Sequence, residues 1–398
     1  MKASIKNNIT ADDLARLQLL NEHMTVSRES VLGYPTSKDF DYSAIHHFLD
    51  FPINNIGDPY EEGSTYKVHT HEFEREVVRF FAKLFRANPQ NYWGYVTNGS
   101  SESNLYGLYL ARESFPKGMV YYSESTHYSV RKNIHLLNIP SIVIRSQPNG
   151  EIDYEDFENT VRLNRHKPAI VLTTFGTTMY EAKDDVSRIK GILKNLAVHD
   201  HYIHCDAALA GSYGAFMTPR TPFDFKDGAD SISISGHKFV GSPIPCGVIV
   251  TKKSTRDRIA KSISYIGSLD TTITGSRNGH SPLFLWYTLK KLGIEGLKAR
   301  YEHSLEVAQY CEMRLQEIGI SAWRNPGAIT VVLPKTPARI QEKWQLATEG
   351  DTAHIICMPC ITKAQIDAFV DDMANYQTKA GKDEAGEKEL EEKFEFEF

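Results

Sequence analysis

A lysine and an aspartate in the middle of the chain could do chemistry together, because each follows a segment that is typical of a buried strand. Lys238 follows the segment Ile232–Ser235 after a single Gly-His step. Open α/β sheets bind ligands in the crevice beyond the carboxyl ends of their strands. There a lysine amine whose pKa is lowered by burial becomes a nucleophile toward carbonyls. A surface lysine in a loop is the alternative, and Lys238 alone does not exclude it.

The aspartate is Asp206, which ends an apolar run in "YIHCDAALAG". A buried carboxylate at this point needs a cationic or donor partner, because an unpaired buried charge costs several kcal/mol. A protonated pyridine nitrogen is such a partner, and its protonation makes pyridoxal phosphate an electron sink. An aspartate that caps the next helix is the alternative. Together, Asp206 and Lys238 favour a cofactor site.

Several hydroxyl and imidazole groups could complete such a site. In "VTNGSSESN" a strand and a glycine precede Ser100 and Ser101, which open a helix whose amino end suits an anion such as phosphate. A simple helix cap is the alternative. Ser235 and His237 flank the lysine and could donate to the same phosphate. His127, in "SESTHYSV", could stack on a pyridine ring and donate to a substrate carboxylate, although a lone histidine is more often a core or surface residue.

Composition limits the classes of partner. The 398 residues carry a formal net charge of -5, and no basic run suited to nucleic acid occurs. No apolar run reaches the length of a membrane span, and the first residues lack the apolar core of a signal peptide. We therefore expect a cytoplasmic protein without a nucleic-acid or membrane partner. The five cysteines are too few and too scattered for a disulfide framework, and a redox or zinc role for the Cys357–Cys360 pair is disfavoured. No metal site is predicted.

The segments that must position these residues alternate between helix and strand patterns, which predicts an α/β fold with a mainly parallel central sheet. "AIVLTTFGTT" is typical of a strand buried on both faces. "THEFEREVVRFFAKLF" has the periodicity of an amphipathic helix. The predicted organisation is a helical amino-terminal segment (1–50), a large domain (51–295), a small α+β domain (296–378) and a charged tail (379–398).

The motifs "TNGSSESN", "STHYS", "FGTT", "HCDAALAG" and "SGHKFVGSPIPCG" resemble, in this order, the group II pyridoxal-phosphate-dependent amino-acid decarboxylases. The similarity is greatest to the short bacterial histidine decarboxylases and the plant serine decarboxylases, and it covers most of the chain. The resemblance implies the aspartate-aminotransferase type of fold (fold type I) and a homodimer with active sites at the subunit interface. It also implies a carboxy-lyase that converts an L-amino acid into its amine and carbon dioxide.

The resemblance also implies a role for each candidate residue. Lys238 resembles the lysine that binds the cofactor covalently, and Asp206 the partner of its ring nitrogen. His127 and Ala208 would pack on the two faces of the cofactor ring, and Thr178 would lie near its 3-hydroxyl. The residues that would bind its phosphate are Ser100, Ser101, Ser235 and His237. The family often has "GGTEGN" where this chain has "GSSESN". The tyrosine on a mobile loop that protonates the substrate carbon in animal enzymes has no evident counterpart in "YIGSLDTTITGSRNG".

The sequence leaves alternatives open for both the reaction and the substrate. Aminotransferases hold the substrate carboxylate with an arginine, and Arg277 in "TGSRNGH" is a conceivable candidate that we interpret instead as a structural or interface residue. Tyr66 and His69, in "STYKVHTHEFE", are candidates for the substrate side-chain pocket. Histidine is slightly favoured over serine as the substrate, and another small or aliphatic amino acid is a further alternative. The sequence alone does not identify the proton donor.

Overall fold

A mixed seven-stranded sheet forms the centre of the protein in a computed structural model that describes residues 8–61, 65–263 and 267–376. The strands follow the order β1-β7-β6-β5-β4-β2-β3. All neighbouring pairs are parallel except those made by β7, which runs antiparallel to β1 and β6. The strands are β1 (Trp93–Thr97), β2 (Met119–Ser123), β3 (Ser141–Ile144), β4 (Ala169–Thr174), β5 (His201–Asp206), β6 (Ser231–Ser235) and β7 (Gly247–Thr251).

Helices cover both faces of this sheet, so its central strands are apolar on both sides. In β4, Val171 packs into one apolar cluster while Ile170 and Leu172 pack into the other. This burial confirms the prediction made from the continuous apolar run in the sequence. The helices of this region are α2 (His71–Leu84), α3 (Ser100–Ser114), α4 (Ser129–Leu136), α5 (Tyr154–Asn164), α6 (Val186–Asn195) and the short α7 (Lys253–Arg256).

A second, smaller sheet lies toward the carboxyl terminus, as the sequence predicts. Its antiparallel strands are β10 (Thr330–Pro334), β11 (Ala347–Glu349) and β12 (Thr352–Ile356), in the order β10-β12-β11. The long helix α8 (His280–Glu317), interrupted at Gly293, leads into it; α9 (Ala338–Trp344) and a helical stretch over 363–376 pack nearby. A two-stranded hairpin, β8 (Lys261–Ile263) with β9 (Ser268–Asp270), precedes α8.

One apolar cluster continues from the large sheet into the small one, since Ile203 and Ile355 belong to the same group of packed side chains. The predicted domain boundaries therefore stay a prediction, and the predicted charged tail lies outside the described residues. The fold class is confirmed: a mainly parallel central sheet with helices, followed by a small antiparallel sheet. The antiparallel strand β7 was not predicted.

The amino-terminal segment begins with α1 (Ala11–Ser27), whose first turn is closed by reciprocal hydrogen bonds between Thr10 and Asp13. No residue of α1 is buried in the chain. Two short 3-10 helices, Arg28–Ser30 and Ser43–Asp50, then lead toward the central sheet. Within the described residues, no helix is both long and apolar enough to span a membrane.

Candidate active site

A cavity of about 910 Å³ lies beyond the carboxyl ends of β1, β2, β4, β5 and β6. Parallel strands end at one edge of a sheet, so residues that follow different strands converge there. All the residues predicted to contact the cofactor line this cavity: Ser100, Ser101, His127, Thr178, Asp206, Ala208, Ser235, His237 and Lys238.

Lys238 lies in a single π-helical turn, Gly236–Val240, that directly continues β6. Its backbone is non-helical, with φ -86° and ψ -109°. Two side chains from the amino-terminal segment bind this turn: the Ser37 hydroxyl donates to the Lys238 carbonyl at 2.8 Å, and the Tyr42 hydroxyl to the Gly241 carbonyl at 2.9 Å. Burial of the amine lowers the pKa of Lys238, although the charge of Asp206 opposes this shift. The lowered pKa favours the neutral, nucleophilic amine.

Asp206 is the last residue of β5 and is only 4% exposed. Its Oδ1 accepts a hydrogen bond from the backbone N–H of Ala208 at 3.1 Å, and its Oδ2 accepts one from Nδ2 of Asn104 at 2.6 Å. These two hydrogen bonds fix the orientation of the carboxylate. The sequence reasoning did not assign Asn104 a role, although it is the last residue of the quoted "TNGSSESN" motif.

Hydroxyl groups gather where α3 begins. The side-chain oxygens of Ser100 and Ser235 lie 2.7 Å apart, which joins the first turn of α3 to the end of β6. Gly247 of β7 allows this close approach, because a Cβ there would lie 2.7 Å from the Gly99 carbonyl carbon. His237 is held at the same end, with Nδ1 at 2.8 Å from the Cys246 carbonyl oxygen. These hydroxyls at a helix amino end suit a bound phosphate.

His127 follows β2 and enters the cavity from the adjacent loop. Its Nδ1 accepts a hydrogen bond from the Ser129 backbone N–H at 3.3 Å, so the neutral ring carries its proton on Nε2. The Ser129 hydroxyl lies 2.8 Å from the same Nδ1. Desolvation lowers the pKa of His127, opposed by the charge of Asp206. The neutral ring is therefore favoured, with Nε2–H as its hydrogen-bond donor.

The two residues predicted for the substrate pocket are placed elsewhere in this chain. Tyr66 donates a hydrogen bond to the Pro52 carbonyl at 2.8 Å, and exposed His69 stacks on His71 with ring centroids 4.4 Å apart. Neither is among the described residues that line the cavity. The predicted contact of Tyr66 and His69 with the substrate stays a prediction.

The wall of the cavity toward the small sheet was missed by the sequence reasoning. It is formed by Tyr34 and Pro35 of the amino-terminal segment, Met179 of the loop after β4, and His354 and Ile356 of β12. His354 is buried, and its Nε2 lies 2.9 Å from the Gly33 carbonyl. No periodicity or motif signals that such distant segments share a wall.

Arg277 does not line the cavity. It is 4% exposed, is ion-paired with the fully buried Glu74, and donates to the Gly57 carbonyl at 3.0 Å. A buried arginine that is already neutralised by a carboxylate is poorly suited to bind a substrate carboxylate. The structural interpretation of Arg277 therefore agrees with its surroundings. Across the described parts of the chain, no group of three or more His, Cys, Asp or Glu side chains is arranged to hold a metal ion.

Comparison with protein families gives a match over residues 53–320 to the pyridoxal-dependent decarboxylase conserved domain. The chain belongs to this family. The decarboxylase therefore uses pyridoxal phosphate and acts as a carboxy-lyase. The expectations for family, cofactor and reaction class drawn from the sequence motifs are confirmed.

Several curated proteins are similar over most of this decarboxylase. Histidine decarboxylase of Mesorhizobium japonicum is 47% identical over 363 residues, which cover 91% of this chain and 98% of that protein. Histidine decarboxylase of Morganella morganii is 47% identical, with coverage of 86% and 91%. Among solved structures, L-methionine decarboxylase from Streptomyces sp. 590 superposes with a TM-score of 0.84 at 27% identity, covering 94% of this chain and 97% of that chain.

The residues that line the cavity fit pyridoxal phosphate. A buried carboxylate at Asp206 suits a protonated ring nitrogen, and an amine with a lowered pKa at Lys238 suits an aldehyde. The hydroxyls of Ser100 and Ser235 at the start of α3 suit the phosphate. A volume of about 910 Å³ leaves room for an amino acid beside the cofactor.

Proposed function

We propose that this decarboxylase converts L-histidine into histamine and carbon dioxide. The observation that carries the proposal is the similarity, at 43–47% identity over most of the chain, to bacterial proteins named histidine decarboxylase. The convergence of Lys238 and Asp206 on one cavity supports the decarboxylation, and both groups are needed whichever amino acid is the substrate.

In this proposal Lys238 would hold the cofactor through its amine, and the carboxylate of Asp206 would bind the ring nitrogen. Ala208 and His127 would pack against the ring, and Thr178 would lie near its 3-hydroxyl. Ser100, Ser101, Ser235 and His237 would hold the phosphate. When bound, pyridoxal phosphate supplies an electron sink for the pair released as the carboxylate leaves.

The residues of the chain determine which substrate bond reacts. His127, with its proton on Nε2, would donate a hydrogen bond to the substrate carboxylate and so orient that group for its loss. Hydrogen bonds to both of its oxygens hold the Asp206 carboxylate in place, so that it would face the ring nitrogen of the bound cofactor. Tyr34, Met179 and His354 form one wall of the cavity.

The experiment that tests this proposal compares substrates on the purified holoenzyme. Histidine, serine and methionine are each supplied without any keto acid, and carbon dioxide and amine are measured. We expect histamine and carbon dioxide in equal amounts from histidine, and at most about 1% of that rate from the others, because a pocket built for imidazole hydrogen bonds rejects analogues that lack them.

Two outcomes would contradict the proposal. Ethanolamine as the main product would make serine the substrate, which is the alternative raised by the resemblance to plant serine decarboxylases. Turnover that requires a keto acid and releases no carbon dioxide would indicate an aminotransferase. The variant Lys238→Ala is the negative control, and we expect it to lose at least about 1000-fold in turnover because the nucleophilic amine is absent. Lys252→Ala, outside the cavity, is the matched lysine control.

We also propose that the enzyme is a homodimer whose active sites lie at the subunit interface. The helix α1 supports this proposal, because its apolar residues Leu14, Leu17 and Met24 are each more than half exposed in the single chain. Leu19, Leu20 and Val26 of the same helix are exposed as well, and a second copy of the chain would cover this apolar surface.

Sedimentation of the holoenzyme tests the dimer directly. We expect twice the mass of the 45.0 kDa chain, and a shift toward the monomer in the variant Leu14→Glu/Leu17→Glu. The variant Asp12→Lys, on the same helix, is the control for a change in charge alone. A monomeric wild-type enzyme with full activity would contradict the proposal.

A further inference from the structure

We propose that Asn104 and His204 form a positioning relay behind Asp206, which orients the carboxylate toward the cavity and keeps it the partner of a protonated ring nitrogen. The inference rests on the proposed role of Asp206, but it does not depend on which amino acid is the substrate. In the proposed function Asn104 enters only as a donor to Asp206, and His204 has no role. We treat both as positioning residues, since the effect argued for each on the cofactor passes through Asp206, although Asn104 also lines the cavity.

The relay begins with one short hydrogen bond. Nδ2 of Asn104 lies 2.6 Å from Oδ2 of Asp206, and both residues are buried. A carboxylate only accepts hydrogen bonds, so the atom facing it must be the amide nitrogen. Oδ1 of Asn104 is therefore an acceptor and points away from Asp206. Two further groups bind it: the Ser233 hydroxyl at 2.5 Å and Nε2 of His204 at 2.9 Å.

This amide orientation determines the protonation of His204. Because Oδ1 of Asn104 can only accept, Nε2 of His204 must carry a proton and donate it. Burial lowers the pKa of His204 to about 3, so the ring is neutral at physiological pH and Nδ1 has no proton. Nδ1 then accepts from the hydroxyl of Ser231, whose oxygen lies 2.7 Å away. The chain of donors runs in one direction, from Ser231 through His204 and Asn104 to Asp206.

The ring of His204 fits against helix α3 because a glycine lies at the point of contact. The ring packs against α3 at Gly107, where a Cβ would lie 2.3 Å from Nδ1 and 2.5 Å from Cε1 of His204. Glycine in a helix interior is less favourable than alanine, because it loses more backbone freedom on folding. The glycine is therefore unfavourable for α3 by itself, and the imidazole occupies the space that its missing side chain leaves. Asn104 lies three residues before Gly107 on the same helix. Helix α3 therefore holds both the amide of Asn104 and the space at Gly107 that its donor, His204, occupies.

The relay has a consequence for the cofactor. Asp206 receives one hydrogen bond on each oxygen, from Asn104 and from the Ala208 backbone. The carboxylate cannot rotate without losing one of them. An Asp206 without the Asn104 bond would be freer to rotate away from the ring nitrogen. Its preference for a protonated ring nitrogen would then fall.

The test measures that preference directly and needs no turnover. Apoprotein is titrated with pyridoxal phosphate and with its carbocyclic analogue, in which a C–H group replaces the ring nitrogen, and the ratio of the two dissociation constants is determined. We expect the wild type to favour pyridoxal phosphate at least about tenfold, the value of a hydrogen bond to a charged group. Asp206→Asn should abolish most of this preference.

The relay variants are then compared by the same ratio. Asn104→Leu should lower the preference by about fivefold, because one of the two bonds that orient the carboxylate is lost. His204→Asn should also lower the preference for pyridoxal phosphate, because the asparagine side chain is too short to place its amide where Nε2 of His204 lies. His204→Gln can place an amide N–H near that position, so it should keep most of the preference. If Asn104→Leu does not fold, the comparison of His204→Asn with His204→Gln tests the proposal.

A matched control separates the relay from a general loss of stability. Asn325 is a buried amide that donates to the Asn149 and Tyr180 carbonyls and does not contact Asp206. Asn325→Leu should lower the melting temperature and leave the ratio of dissociation constants unchanged. An unchanged ratio in Asn104→Leu and His204→Asn, with a lowered ratio in Asp206→Asn, would overturn the relay alone. An unchanged ratio in Asp206→Asn would overturn the proposed role of Asp206 as well.

Discussion

The side-chain oxygens of Ser100 and Ser235 lie 2.7 Å apart although 135 positions separate the two residues in the chain. Ser100 begins α3 and Ser235 ends β6. Their contact brings a helix amino terminus, with its free N–H groups, to the strand that leads into Lys238. Two serines that hydrogen-bond each other are also placed to bind one anion together.

This relationship predicts cooperative loss of cofactor affinity. Ser100→Ala and Ser235→Ala should each weaken binding of pyridoxal phosphate by about 10- to 100-fold, since each removes one hydrogen bond to a charged group. The double variant should lose less than the sum of the two free energies, because the two hydroxyls interact. Equilibrium titration of apoprotein measures all three constants. Fully additive losses would contradict a shared phosphate site.

A second prediction concerns the bond between the Ser37 hydroxyl and the Lys238 carbonyl. Ser37→Ala should loosen the turn that contains Lys238, because it removes the hydrogen bond to the Lys238 carbonyl. We expect the rate of cofactor dissociation to rise by about 3- to 10-fold, which corresponds to the loss of one neutral hydrogen bond. Release can be followed by the visible absorption of the bound cofactor. Ser43→Ala, an exposed serine of the same segment, is the control and should leave the rate unchanged. Equal rates in Ser37→Ala and the wild type would contradict a role in holding the turn.

A third prediction addresses the buried ion pair of Arg277 and Glu74. Arg277→Met leaves the Glu74 carboxylate buried without its cation and should lower the free energy of unfolding by about 3–5 kcal/mol. Adding Glu74→Gln should restore part of that loss. Urea unfolding measures both changes. A stable Arg277→Met variant with a selectively raised KM would contradict the structural interpretation and favour the aminotransferase alternative, in which the arginine binds the substrate.

A fourth prediction follows from Asp184, which accepts hydrogen bonds from the Ile152 and Thr174 backbone N–H groups at 2.8 and 2.7 Å. Burial raises the pKa of Asp184 from 3.8 to about 7. The folded protein therefore binds a proton at Asp184 between these two values, where the unfolded chain does not. This contribution to stability is present at pH 4 and is lost as the pH rises through 7.

The variant Asp184→Asn cannot titrate and should remove this dependence on pH. We expect the stability advantage of the wild type over Asp184→Asn to grow by about 2 kcal/mol between pH 8 and pH 5. Urea unfolding at a series of pH values measures it. Parallel stability curves for the two proteins would contradict a raised pKa at Asp184.

The sequence by itself determined the α/β class and the positions where cofactor chemistry was expected. Lys238, Asp206 and Ser100 each follow an apolar strand run, and parallel strands end at one edge of a sheet. Convergence on one cavity could therefore be predicted without coordinates. The motifs around these residues also determined the family, because that resemblance depends on local residue order.

Only the tertiary structure decided which side chains meet across the fold. Asn104 and His204 lie on a helix and a strand that are distant in the chain, and their hydrogen bond depends on the gap at Gly107. The cavity wall of Tyr34 and His354 likewise joins the amino-terminal segment to the small sheet. Periodicity and propensity report on neighbours along one element, whereas these contacts depend on how whole elements pack, so local sequence patterns could not reveal them.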